Sequence, residues 1–124
     1  MAKNSVILSF SEGEEIIPEI VSFMKKEGHD YLEFLSAKGS VKGFSVLSSG
    51  QNAAINSMAF DESYNVVSIN GKVEKIKGQF VPTIYMNISR NGVGSVSGQF
   101  VKGKAVEGLE ITARKVNLKK IIVG

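Results

Sequence analysis

The chain has 124 residues, 43% of them hydrophobic and 22% charged, with a net charge of +3 and no cysteine. These values describe one ordinary globular domain that can bury a core without staples, and they exclude disulfides and thiolate–zinc centres. The charge is uneven, −4 over residues 1–64 and +7 over residues 65–124. Either the two halves neutralise each other, within the chain or across an oligomer, or the basic half meets an acidic partner such as nucleic acid.

The opening MAKNSVILSF has one lysine and a short apolar run, soon followed by Glu12, Glu14 and Glu15. A signal peptide needs a longer apolar stretch and a small-residue cleavage site. No run approaches the roughly 18 apolar residues of a membrane span. The expected location is the cytoplasm, with no membrane partner.

Ser5 to Phe10 predicts a first strand. In SEGEEIIPEIVSFMKKEG the apolar residues Ile16, Ile17, Ile20, Val21 and Met24 recur at three-to-four spacing, which predicts a helix with one apolar face. Glutamates at its start and Lys25 and Lys26 at its end suit the helix dipole, and Gly28 suits a left-handed cap. Pro18 requires the start to lie near Gly13 or Glu14, so that the ring falls in the first turn.

The remainder reads as strands. YLEFLSAKG and SVKGFSVLSS meet near Gly39, QNAAINSMAF is strand or irregular, and SYNVVSINGKVEKI is a strand with a bend or bulge near Asn70–Gly71. Thr83–Ser89 is the clearest strand, with Ile84, Met86 and Ile88 alternating against Tyr85, Asn87 and Ser89. Asn91-Gly92 predicts a tight hairpin turn with positive φ angles. Val93–Val101 runs back, Ala105–Lys115 is a last strand or pair, and the tail VNLKKIIVG either adds an edge strand or packs on a neighbour. The expected fold class is α+β: a mostly antiparallel sheet with one principal helix packed on it, in a single domain over residues 1–124.

Catalytic apparatus is not visible. His29 is the only histidine, and its place after the helix suits a cation at a helix C-terminus better than catalysis or zinc. There is no nucleophile elbow, phosphate-binding loop or dinucleotide fingerprint. Glu12, Glu14 and Glu15 read as a solvated helix start rather than an acid–base pair. Phe80, Tyr85 and Phe100 are candidates for base stacking, although Phe44, Phe60, Phe80 and Phe100 read better as core. No cofactor is expected.

The order of motifs resembles the PPC domain, named for plant and prokaryote conservation, over about residues 5–115. The residues that carry the resemblance are Gly13-Glu14-Glu15 opening the helix, LSAKGSV from Leu35 to Val41, VVSINGKV from Val66 to Val73, and IYMNISRNGVGSVSGQF. Many prokaryotic members of that family have a His-x-His in the strand and a Gly-Gly-His in the following box, which look like a metal site. The matching positions here are Tyr85, Asn87 and Gln99, and phenol and amide groups are poor zinc ligands. The resemblance therefore implies a polar cluster without its metal, lining either a subunit interface or a small-metabolite pocket.

It also implies a homotrimer, and a non-enzymatic, DNA-binding or DNA-associated role. The Arg-Gly-Arg-Pro hook of the plant proteins is absent, and the chain has only Arg90 and Arg114. Any DNA contact is expected from Lys72, Lys75, Lys77, Lys102, Lys104, Arg114, Lys115, Lys119 and Lys120 acting on phosphates, weakly and with strong salt dependence.

Overall fold

The computed structural model describes residues 4–49 and 55–116. Its elements are β1 (Ser5–Ser9), α1 (Ile16–Glu27), β2 (Tyr31–Lys38), β3 (Ser40–Ser49), β4 (Ile55–Phe60), β5 (Tyr64–Ile76), β6 (Gln79–Arg90), β7 (Gly94–Ala105) and β8 (Glu110–Lys115). The eight strands form a single antiparallel sheet in the order β1-β8-β2-β5-β6-β7-β3-β4, with a further β5–β3 pairing. That extra pairing closes β5, β6, β7 and β3 into a ring. A mostly-β α+β fold results, with α1 as the one helix among the described residues.

The helix begins at Ile16, two to three residues later than its charge pattern suggests, with Glu15 as an N-cap in extended conformation and Pro18 in the first turn. Its first N–H groups need no intrahelical partner, so the proline costs little there. Gly28 takes the left-handed cap at φ 74°, donating its N–H to the Met24 carbonyl. A helix of 12 residues is marginal by itself. Ile16, Ile20 and Met24, fully buried in the same core as the strand residues, stabilise it by roughly 1.5–3 kcal/mol each.

The long strand β5 organises the sheet. One edge pairs with β6 from Asn65 to Ile76. The other edge is divided: Lys72–Glu74 pair with Tyr31–Glu33 of β2, and Tyr64–Asn65 pair with Ser40–Val41 of β3. Between them the chain turns at Gly39, whose φ is +126° and whose added Cβ would stand 2.9 Å from the Leu109 Cα. Only glycine fits both the angle and the approach. Over the ring lies an aromatic cluster, with Phe44 5.0 Å from Phe60, 5.4 Å from Tyr64 and 6.5 Å from Phe100, centroid to centroid.

Several expectations are corrected by the register. The register shift in β5 lies between Val66 and Ser68, while Asn70–Gly71 pair without interruption with Tyr85 and Ile84 and Gly71 departs from strand geometry at φ +111°, where a bend was expected. β6 begins at Gln79 and includes Pro82. Its pairing with β7 starts only at Tyr85, so Pro82 lies in the part of β6 with one open edge, where a missing N–H is tolerated. Ala105 ends β7, and a turn closed by the Leu109 N–H on the Val106 carbonyl separates it from β8. QNAAINSMAF is a strand from Ile55 onward, and its first residues lie outside the described ones, as does most of the tail VNLKKIIVG.

The hairpin turns also divide differently from expectation. Asn91-Gly92-Val93 is a three-residue connection, since Arg90 pairs with Gly94. Gly92 has φ +80°, and the Val93 N–H bonds the Arg90 carbonyl at 3.1 Å, the pattern of a type II turn. The two-residue hairpin is instead Lys77-Gly78, with φ +50° and +81°. Both central residues are then left-handed, as a type I′ turn requires. A lysine there bears strain that asparagine tolerates better. Lys77→Asn should raise stability by about 0.5–1 kcal/mol and Lys77→Val should lower it by at least as much, read by urea unfolding.

Candidate functional site

The alternation expected for β6 holds. Ile84, Met86 and Ile88 are buried, while Tyr85 and Asn87 are exposed on the opposite face. On that outer face Tyr85 stands between Asn70 of β5 and Gln99 of β7. Asn87, one step along, stands between Ser68 and Ser97. Direct cross-strand neighbours lie about 5 Å apart at Cβ, so Tyr85, Asn87 and Gln99 form one cluster.

The three-residue hairpin loop decides this. With a two-residue loop Arg90 would face Val93, Tyr85 would face Gly98, and Gln99 would turn toward the core opposite Ile84. The extra residue shifts the register by one and flips every side chain of β7. It buries Phe100 at 2% exposure and brings Gln99 out beside Tyr85. Phe100 is therefore removed as a base-stacking candidate. Phe80 is half-buried, and Tyr85, 46% exposed, is the freest of the three expected rings.

Asn87 is engaged at both ends of its amide. Its Nδ2 donates to Ser68 Oγ at 2.7 Å, and its Oδ1 accepts from Ser97 Oγ. Ser68 and Ser97 were not singled out from sequence. For Ser97 the signal was the β6–β7 hairpin register, which places the residue ten positions beyond Asn87 directly opposite it once the loop length is known; for Ser68 it was the β5–β6 hairpin register.

Gly98 sets the depth of the cluster. A Cβ there would lie 2.4 Å from the Leu47 carbonyl oxygen, so β7 and β3 approach too closely for a side chain. Gly98→Ala should push the strands apart and cost about 1–3 kcal/mol. Asn87→Ala leaves two exposed hydroxyls that water can serve, and should cost only about 0.5–1.5 kcal/mol. Urea melts of the two variants, compared with the parent chain, measure both.

The donor set does not fit a metal. Tyr85 offers a neutral phenol, Gln99 an amide, and the Asn87 amide already spans two serines. Among the described residues no group of three or more His, Cys, Asp or Glu side chains converges to hold an ion. The cluster can donate and accept hydrogen bonds but supplies no carboxylate or imidazole.

Among the described residues, the expected phosphate contacts lie at separate places on the fold. Lys75 and Lys77 lie by the helix C-terminus, where the Lys75 N–H bonds the Asp30 carbonyl. There Lys25 and Lys75 stand 6.0 and 5.7 Å from the centroid of the Phe80 ring. The Lys104 backbone forms a β-bridge with that of Glu15 at the helix N-terminus, about 18 Å away along a 12-residue helix. Lys102 lies on the same end of β7, opposite Ser45. Arg114 is paired with Glu33, and Lys115 anchors its backbone N–H on the Asn4 carbonyl. Lys119 and Lys120 lie outside the described residues.

Lys72 is paired with Glu74 at 3.2 Å. The hydrogen bond to Glu74, then the nearby Tyr31, hold its ammonium above the ordinary lysine range. The sign follows from linkage: a raised lysine contributes in full below its unfolded value and loses that contribution only as pH rises through the folded one. Lys72 therefore adds no pH dependence near neutrality.

Charge is also neutralised between the two halves of the chain, through Glu33 with Arg114 and Glu62 with Arg90. Glu12 has a role that its expected place at a solvated helix start did not suggest. It pairs with Lys42 and exchanges backbone-to-carboxylate bonds with Glu107, at 2.8 and 3.2 Å. His29 follows the cap as expected, with its ring 5.9 Å from Phe23.

An antiparallel ring with one helix among the described residues and an uncharged polar cluster on its outer face defines a small β-rich domain. The chain belongs to the Plants and Prokaryotes Conserved domain family, whose model matches residues 1–118. Its fold is shared by the plant- and prokaryote-conserved protein of Pyrococcus horikoshii, with a TM-score of 0.77 at 18% identity over 91% of this chain and 79% of that one. A metal-containing protein from Archaeoglobus fulgidus superposes equally well, with a TM-score of 0.77 at 16% identity over 93% and 81%. A candidate DNA-binding protein from Bacteroides thetaiotaomicron gives 0.73 at 15% identity over 94% and 82%. No curated protein matches the chain.

Proposed function

We propose that this chain is a non-enzymatic, homotrimeric interaction module of the cytoplasm, one domain over residues 1–124, that associates with DNA or DNA-bound partners. The observation that carries the interface reading is the outer face of β5, β6 and β7. Val67, Val81, Tyr85 and Val101 are exposed there at 62%, 39%, 46% and 44%. They surround Asn70, Asn87, Ser97 and Gln99, and Lys72 at the margin is already paired. Interface cores are depleted in charge and enriched in such residues. A threefold contact would cover this face with a different patch of the neighbouring copy.

The Asn87 amide, spent between Ser68 and Ser97, favours this structural use of Tyr85, Asn87 and Gln99 over a metabolite pocket. The DNA association is supported by the basic second half of the chain and by the candidate DNA-binding protein that shares the fold. The split of the basic residues limits it to a few phosphates at a time. Lys75 and Lys77, joined by Lys25 and Lys26, are the densest set.

Light scattering coupled to gel filtration should return a trimer for the parent chain. Tyr85→Asp with Val101→Asp should return a folded monomer, and a trimer that survives would overturn this interface. Binding to a DNA duplex should weaken with salt along a log–log slope of about −3 to −4, for three to four phosphates. Unchanged binding at high salt, or none at low salt, would remove DNA from the proposal.

A further inference from the structure

The sequence contains Asn-Gly twice, at Asn70-Gly71 and Asn91-Gly92. This pair is the most open to deamidation, because glycine has no side chain to keep its nitrogen away from the neighbouring amide. The nitrogen attacks the asparagine Cγ and closes a five-membered ring. Both asparagine side chains are exposed, so access to water does not separate the two sites. The backbone does.

Asn70-Gly71 sits within β5, where Asn70 pairs with Tyr85, Gly71 pairs with Ile84, and the register runs unbroken from Ser68 to Ile76. A Cβ on Gly71 would collide with the Thr83 carbonyl oxygen. Ring closure requires the peptide between the two residues to rotate, and here that rotation opens the β5–β6 ladder. Central strands are the part of a fold that opens least often. Asn91-Gly92 is instead the middle of the β6–β7 turn. No atom beyond its chain neighbours lies within 4 Å of where a Cβ on Gly92 would stand. Among the described residues, the Gly92 N–H has no hydrogen-bond partner. The peptide that must rotate is the central one of the turn. Its flip exchanges a type II for a type I turn and takes Gly92 from φ +80° to a negative value, which glycine accepts. The bond from the Val93 N–H to the Arg90 carbonyl survives the flip, and the Gly92 nitrogen is carried past the Asn91 side chain.

We propose that Asn91 is a modification site, converting without an enzyme to isoaspartate and aspartate in the folded chain, while Asn70 is held back by its ladder. The Gly92 nitrogen gives its proton to solvent base and bonds to Asn91 Cγ. The Cγ–Nδ2 bond breaks and ammonia leaves. Water then opens the cyclic imide. Attack at Cγ breaks its bond to the Gly92 nitrogen and yields aspartate. Attack at the main-chain carbonyl carbon yields isoaspartate, with the chain rerouted through Cγ. Water is the only co-reactant. Either product sets a new carboxylate beside Arg90, which is paired with Glu62. Isoaspartate also adds a methylene to the main chain, in the loop whose length holds Gln99 opposite Tyr85. The Arg90–Gly94 pair, next to the turn, takes up that change first. This inference does not depend on the trimer or on DNA.

Ageing the full chain in mildly alkaline buffer, followed by peptide mapping with fragmentation, tests it. In the folded chain the Asn91 peptide should gain the mass of an amide-to-acid change and split into two isomers, at least about tenfold faster than Asn70 converts. In guanidinium chloride the two sites should convert at similar rates, which makes the fold the cause of the difference. Asn91→Gln should abolish the fast conversion, because a six-membered ring closes far more slowly. In the converted chain the amides of Ser89, Arg90, Gly94 and Ser95 should exchange with solvent faster, with that of Phe100 unchanged. Asn91 persisting in the folded chain while it converts in denaturant would overturn the proposal. So would Asn70 converting as fast as Asn91 in the folded chain. Unchanged exchange beside the turn would overturn the effect on the hairpin.

Discussion

Everything in this fold depends on one strand edge being shared. β5 gives one edge to β6 and divides the other between β2 and β3, so the sheet cannot stay flat. It splits into an arm of β2, β8 and β1 and a ring of β3, β5, β6 and β7, with β4 paired on β3. The corner at Gly39 makes the split possible, because the chain must turn with its backbone almost in contact with Leu109. Phe44, Phe60, Tyr64 and Phe100 then fill the ring. Their burial repays the entropy of joining strands distant in sequence.

The candidate surface is a by-product of that closure. Because β6 is enclosed by β5 and β7 over Tyr85–Ser89, its inward residues are committed to the core and its outward ones are displayed in fixed rows. One row is Asn70, Tyr85 and Gln99, and the next is Ser68, Asn87 and Ser97. A cross-strand amide ladder on a rigid sheet is well placed for shape-specific contact and poorly equipped for proton transfer. The side chains displayed there supply hydrogen bonds and no carboxylate or imidazole.

Charge follows a similar logic. The acidic first half and basic second half, so prominent along the sequence, meet within one molecule at Glu33–Arg114 and Glu62–Arg90. Among the described residues, Lys75 lies near the C-terminal end of α1 and Lys104 near its N-terminal end. A net charge read along the chain therefore overstates the field that a partner meets.

The sequence by itself determined the helix, its left-handed cap and the alternation of β6, because these depend on neighbours within four residues. It also indicated the family, through the order of its motifs, and the family model matches residues 1–118. Tertiary structure decided the remainder. Asn91-Gly92 looks like a two-residue turn, yet three residues join the strands, and that single count places Gln99 outside and Phe100 within. The bulge at Val66–Ser68 and the partners of Asn87 were equally hidden, since both depend on the residue-by-residue register of the paired strands. Local pattern specifies which way a side chain can point, and only the pairing of distant backbones fixes what it points at.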